Sequence, residues 1–232
     1  MRHIHIVYAH YNVEGSGNKF RPQWFDYEKC FLNLLATTKD IPNVTIHLVM
    51  DGKVSDNWIE KYKEHFVAYE TVGGGMENVT HNVFNIIKSI QCSKSDLIYI
   101  LENDYLHAQG WVDRVRTVFN TYEGIDYISL YDHGDKYFLP MYDDLLAKIY
   151  VTADCHWRSA PSTCGSYIAT KEVLDADFDD QTGVTVPIGD HHKWVYLNKT
   201  KNRSILTPIP GLSTHCMQGL LSPVVDWKQI NN

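Results

Sequence analysis

Glu102 and Asp104 stand one residue apart at the end of the apolar run Ile98-Tyr99-Ile100-Leu101. Along an extended chain alternate side chains share a face, so both carboxylates can address one cation or one diphosphate. Carboxylate oxygens are hard ligands that suit Mg²⁺ or Mn²⁺ better than zinc. A cation held there would help an acidic protein to bind an anionic substrate. An acidic strand end leading into a turn would explain an isolated Glu-x-Asp equally well. What separates the two explanations is where the other polar strand ends fall.

The elements that must position this pair alternate between strand and helix. Ile4 to Ala9 reads as a strand and Asp26 to Thr37 as a helix with Tyr27, Phe31, Leu34 and Leu35 on one face. Val44 to Met50 is a second strand, stopped by Asp51-Gly52, and Asp56 to Phe66 a second helix that Ser55 can cap. Val67 to Val72 is a third strand, and a strong amphipathic helix covers Glu77 to Ile90. Asp96 to Leu101 is the fourth strand, Trp111 to Tyr122 the following helix and Ile125 to Tyr131 a fifth strand.

Such alternation predicts a largely parallel sheet covered on both faces, with ligands bound beyond the carboxyl ends of the strands. His10-Tyr11-Asn12, Asp51-Gly52, Gly73-Gly74-Gly75 and Glu102-Asn103-Asp104 should therefore share one edge. The triple glycine lacks the ending of a P-loop and reads as a turn. His81, Asn82 and Asn85 belong to the surface of the helix after it. After residue 131 the alternation fails. Lys148 to Ala153 is expected as a strand with Gly165 to Thr170 as its neighbour, Asp190 opens a helix to about Leu197, and a tail with Pro208, Pro210, Gly211 and Pro223 should wrap over the domain.

The 232 residues suffice for one sizeable core, and one domain is expected. With 44% hydrophobic and 21% charged residues the composition is that of a globular chain. A net charge of -7 speaks against a nucleic-acid binder, which needs a basic surface. The five cysteines are scattered without a CxxC pair, which favours neither a disulfide framework nor a zinc knuckle and suits a reducing, cytoplasmic setting. No apolar run reaches membrane-spanning length, so no integral membrane segment is expected.

In its order of elements and in three short motifs the chain resembles nucleotide-sugar glycosyltransferases of the GT-A fold, especially inverting ones. Ile6 to Asn12 resembles the family's opening strand, Val49 to Asp56 its second strand end, and Ile100 to Asp104 the position of its DXD metal motif, with Glu102 in place of the first aspartate. The resemblance implies a mixed, mostly parallel Rossmann-like sheet flanked by helices. Residues 1–105 would form the nucleotide-sugar half, and residues 106–232 the acceptor half with its tail. It implies Mn²⁺ or Mg²⁺ on Asp104 and His215, with Glu102 at the metal, at a metal-bound water or at the ribose. His10, Asn12 and Asn103 would line the nucleotide, and Asp51 would meet the base. Asp190 would deprotonate the acceptor hydroxyl, although Asp is also a preferred helix cap. The implied partners are a nucleotide diphosphate sugar, with UDP foremost, and a glycan or glycoconjugate acceptor.

Other functions stay open at this level. Retention at the anomeric carbon is the nearest. His3-x-His5 on one strand face would suit a metal-dependent hydrolase, but a (β/α)₈ barrel needs more repeats than this chain holds. A sugar nucleotidyltransferase would require a Gly-rich, arginine-bearing loop after the first strand, for which Glu14 to Lys19 is a weak substitute. The aromatic segment with His156, Trp157 and Arg158 could shape an acceptor sugar pocket, and a partly buried hairpin explains it equally well; a non-catalytic glycan-binding module would explain the aromatics but not the ordered carboxylates.

Overall fold

A computed structural model describes residues 1–11, 20–51, 56–69 and 75–231. Its centre is β1 (Ile4–Tyr11), which pairs in parallel with β2 (Val44–Asp51) on one side and with β4 (Leu97–Glu102) on the other. β3 (Val67–Tyr69) extends the sheet beyond β2, also in parallel. These strands carry near-continuous apolar runs because both of their faces are covered. Ile4, Ile6, Tyr8, Tyr99 and Leu101 pack on one face with Phe31 and Leu34 of α1 (Tyr27–Thr38) and with Val112 and Val115 of α4 (Trp111–Thr121). Val7, Val49, Ile98 and Ile100 pack on the other with Val83, Phe84, Ile86 and Ile87 of α3 (Gly75–Ser89). Asp26 caps α1 by accepting from the Lys29 amide at 3.0 Å. α2 (Asp56–Tyr62) ends in a single 3₁₀ turn, Lys63–His65.

The strand order is β3-β2-β1-β4-β9-β6-β10-β8-β7. β9 (Tyr167–Thr170) runs antiparallel between β4 and β6 (Tyr127–Ile128). β10 (Ile205–Ile209) is parallel to β6, and the hairpin of β7 (Ile149–Thr152) and β8 (Cys155–Ser159) closes the far edge against β10. Only β8 and β9 among the described strands of this sheet oppose the rest, so the mixed α/β sheet is mostly parallel. α5 (Lys171–Ala176), α6 (Phe178–Gln181) and α7 (Asp190–Lys199) follow β9, and α8 (Trp227–Ile230) lies near the C-terminus. β5 (Tyr105–His107) and β11 (Ser213–His215) form a separate antiparallel pair.

Three expectations need correction. Residues 165–170 do not neighbour residues 148–153, because β7 pairs with β8 and β9 inserts between β4 and β6. The tail extends the main sheet through β10 instead of only wrapping over it. Pro208 is tolerated because it pairs with β8 opposite Trp157, while β6 pairs only at Ile205 and Leu206, so the missing amide falls where no ladder bond is required. The fifth strand shrinks to Tyr127–Ile128, since the Leu130 carbonyl accepts instead from the amides of Leu212 and Ser213 and draws the chain toward β11.

Candidate active site

Parallel pairing puts the ends of β1, β2 and β4 on one edge, with Tyr11 opposite Asp51 and Ala9 opposite Glu102. From that edge the chain turns through Asn103 and Asp104 into β5. β11 pairs with β5 so that His215 lies opposite Tyr105, and the Cys216 amide donates to the Asp104 carbonyl at 2.9 Å. The small sheet thereby joins residues 111 positions apart: His215 Nε2 lies 3.2 Å from Asp104 Oδ2. The His215 ring is held flat on Tyr105, with centroids 5.0 Å apart and planes within 4°.

Asp104 Oδ2 also accepts from Arg21 Nη2 at 2.5 Å, with the carboxylate side chain only 2% exposed. The guanidinium lies 4.6 Å from the Phe25 ring centroid, and its other terminal nitrogen donates to the Cys216 carbonyl at 2.8 Å. A divalent cation fits the Asp104 and His215 donors. Ligand bonds near 2.1 Å in an octahedral shell place adjacent donors about 3 Å apart. Arg21 is the positive charge on that carboxylate here, so a metal would have to displace it.

Glu102 does not converge with this pair. Among the described residues, a group of three ligand atoms within 4.8 Å of one another forms elsewhere, without Glu102, Asp104 or His215. β4 ends at Glu102, so the strict alternation that would align the two carboxylates stops before Asp104. The Glu102 carboxyl packs instead on Gly165, where a Cβ would come within 3.1 Å of it, and the Glu102 amide donates to Ser166 Oγ at 3.1 Å. Asn103 is buried.

Asp190 is the first residue of α7. Trp194 and Leu197, both fully buried, anchor that helix, with the Trp194 ring edge-on to Tyr127 and Tyr167. The helix therefore presents its N-terminal turn at the site. Asp190 is open to solvent, yet crowding by the protein pushes its pKa up, and the charges of Lys193, His215 and His133 pull it partly back. Lys193, one turn later and buried, has its pKa lowered by burial, while Asp190 and Glu102 draw it upward. Glu102, Asp104, Asp190, Lys193 and His215 thus belong to one electrostatic neighbourhood.

On the nucleotide side, His10 is buried at the end of β1 with its ring stacked on Trp58, centroids 4.4 Å apart. Burial lowers its pKa to about 4, so the imidazole is neutral, and Nδ1 has no hydrogen-bond partner among the described residues. Asn12, residues 14–19, Gly52, Ser55 and residues 73 and 74 lie outside the described residues, as does the Asp51 side chain. Asn85 is exposed, with His81 and Asn82 half-buried. Trp157 is fully buried and Arg158 pairs with Asp132 at 2.7 Å, so this segment is the hairpin β7–β8.

Sequence reasoning missed Arg21, Trp58 and Lys193. For Lys193 a signal existed, because it follows Asp190 by one helical turn. For Arg21 none did, since 83 residues separate it from its partner.

No protein-family model and no curated protein matches the chain. Solved structures match its fold. Staphylococcus aureus TarS 1-349 superposes with a TM-score of 0.53 at 12% identity, over 88% of this chain and 57% of that one. The chain spans little more than half of that neighbour. A 4-diphosphocytidyl-2C-methyl-D-erythritol synthase from Anaerococcus prevotii gives 0.50 at 10% identity, over 89% and 87% of the two chains. A Mycobacterium tuberculosis glucosyl-3-phosphoglycerate synthase with Mn²⁺, UDP and glucosyl-3-phosphoglycerate gives 0.44 at 13% identity, over 80% and 68%, too loose a superposition to bear on this chain's chemistry. The fold is GT-A-like. No helix among the described residues is long and apolar enough to cross a membrane.

Proposed function

We propose that this protein transfers a sugar from a nucleotide diphosphate sugar, with UDP the foremost nucleotide, to a glycan hydroxyl with inversion. The observation that carries the proposal is His215, whose Nε2 lies 3.2 Å from Asp104 Oδ2 in the same neighbourhood as Asp190 at the head of α7. One residue thus links the two carboxylates that a displacement at an anomeric carbon requires, one on the side of the leaving diphosphate and one on the side of the attacking oxygen.

Asp190 accepts the acceptor hydroxyl's proton as that oxygen attacks. Its raised pKa makes it a stronger base than an ordinary aspartate. Lys193 stands behind it, close enough to limit how far the pKa rises. Asp104 and His215 would hold Mn²⁺ or Mg²⁺, which supplies Lewis-acid stabilisation to the departing diphosphate. Glu102 lies aside from that pair and serves the donor's ribose or an ordered water. The neutral His10 ring on Trp58 gives the nucleotide an aromatic wall, with Asp51, Asn12 and Asn103 as further polar contacts.

Incubation with a panel of nucleotide sugars and oligosaccharide acceptors, with and without Mn²⁺, tests the proposal. Metal-dependent release of the nucleoside diphosphate, with a product of inverted anomeric configuration, is expected. Pyrophosphate release from a nucleoside triphosphate and a sugar phosphate, with no response to any nucleotide sugar, would overturn it.

A further inference from the structure

The amino ends of the same strands carry a second polar cluster. His5, on the α3 side of β1, is buried in a histidine relay. His3 stacks on it with centroids 4.2 Å apart, and His3 Nε2 is 2.8 Å from Thr45 Oγ1. His5 Nδ1 is 3.0 Å from His47 Nε2, and His47 Nδ1 is 3.0 Å from the Tyr69 hydroxyl. The relay runs outward across β2 and β3. On the opposite flank lie Cys92, in the connection from α3 to β4, and Asp96, which immediately precedes β4. One ligand atom each from His5, Cys92 and Asp96 lies within 4.8 Å of the other two.

We propose that His5, Cys92 and Asp96 form a zinc site at the amino edge of the sheet, separate from the Asp104 and His215 pair. Imidazole, thiolate and carboxylate are the three protein ligand types zinc accepts, and a soft sulfur selects zinc over Mg²⁺. Nδ1 of His5 is taken by His47, which leaves Nε2 for the metal. A metal-bound Nε2 obliges His5 to donate from Nδ1 to His47 Nε2, and His47 then donates from Nδ1 to the Tyr69 oxygen. This is the outer-shell hydrogen bonding that orients ligating histidines.

Asp96 is likewise pre-positioned, with one carboxylate oxygen accepting from the His3 amide at 3.0 Å and the other from the Ser93 amide at 2.8 Å. Cys92 and Asp96 are half-buried, which leaves an approach from solvent and room for a water as fourth ligand. Binding replaces the thiol proton by the metal and releases that proton to solvent. The three ligands together tie the α3–β4 connection to the first strand.

The test uses the full chain, stripped with a chelator and titrated with Co²⁺ or Zn²⁺ alone. One equivalent of Co²⁺ should produce a thiolate-to-cobalt charge-transfer band that Zn²⁺ then abolishes. Cys92→Ser should eliminate the band, and Asp96→Asn should weaken Zn²⁺ binding at least tenfold, with unchanged far-ultraviolet circular dichroism. Cys155→Ser, a cysteine of β8, and Asp104→Asn should leave band and affinity as in the parent. His47→Phe should keep the band but lower affinity by about ten- to a hundredfold, as loss of an outer-shell partner does. Absence of the band in the parent, its persistence in Cys92→Ser, or its loss in Asp104→Asn would overturn the proposal.

Discussion

The two ends of the same parallel strands present opposite chemistry. The carboxyl edge gathers formal charges, with Arg21 on Asp104, His215 beside it, and Asp190 facing Lys193. The amino edge gathers imidazoles, of which burial keeps His5 and His47 neutral, with a thiol and one carboxylate held by amides. At the carboxyl edge Asp104 sits on the turn after β4 and Asp190 at the start of α7, where it is open to solvent. At the amino edge His5 and His47 sit on strands, held by the stacked His3 ring and by the hydrogen bond between them. The turnover proposed for the carboxyl edge and the resident ion proposed for the amino edge place different demands on one sheet, and loops beyond the strand ends suit the first.

Asp190→Asn separates the edges most sharply. With Asp190 as the proposed general base, its loss should lower the transfer rate by about 10²- to 10⁴-fold, leaving nucleotide affinity and zinc binding as in the parent. Rates at pH 7 check it. An unchanged rate would remove Asp190 from the reaction.

Arg21→Ala addresses the competition for Asp104. It leaves a carboxylate that is 2% exposed without its guanidinium, and breaking such a pair costs about 3 kcal/mol. Mn²⁺ should recover much of that stability and bind more tightly than to the parent, because the Arg21 guanidinium no longer competes for Oδ2. Denaturant melts with and without Mn²⁺ measure it. A variant that Mn²⁺ does not restabilise would remove metal ligation from Asp104.

Acid should act through buried neutral histidines at both edges. Burial holds His10, at the end of β1, at about 4 and His107, at the end of β5, at about 3, against an ordinary 6.5. The unfolded chain therefore takes up protons first, and stability should fall as pH drops from about 6.5 toward 3 to 4, by about 1.4 kcal/mol per pKa unit of depression. His107→Gln, which replaces a ring bonded to the Tyr99 hydroxyl at 2.9 Å, should flatten that slope. Melting temperatures from pH 7 to pH 4 give the comparison.

The first four strands and their helices are legible in the sequence because burial on both faces leaves apolar runs, and because α3 repeats its apolar residues with the helical period. β8 and β10 are harder to see. Pro208 reads as a breaker until its unneeded amide is located, and a hairpin whose residues include Cys155, His156 and Arg158 does not look like a strand. The place of β9 between β4 and β6 is a non-local choice that no local pattern encodes. At the site, Asp104, His215 and Asp190 could be placed from motif order, and the structure gathers them in one neighbourhood. Glu102 was harder, since its strand ends before Asp104. Arg21 at Asp104, and Cys92 and Asp96 beside His5, meet only through the fold, so no short spacing announces them.

The smallest expected effect concerns Glu102. A methyl group at Gly165 would lie 3.1 Å from its carboxyl carbon and from Oε1, and 3.2 Å from Oε2. Gly165→Ala must therefore shift the Glu102 carboxylate by a few tenths of an ångström, and such overpacking costs about 1 kcal/mol. If Glu102 contacts the donor, KM for the nucleotide sugar should rise severalfold with kcat nearly unchanged, because Asp190 and the Asp104–His215 pair stay in place. Removing the carboxylate tests the cause. In Glu102→Ala the added methyl has nothing to displace, so the double variant should be more stable than the sum of the two single changes predicts, as neighbours in contact are not additive. Strict additivity would place the cost of Gly165→Ala in the backbone and free Glu102 from it, while zinc binding at the amino edge should register none of these changes.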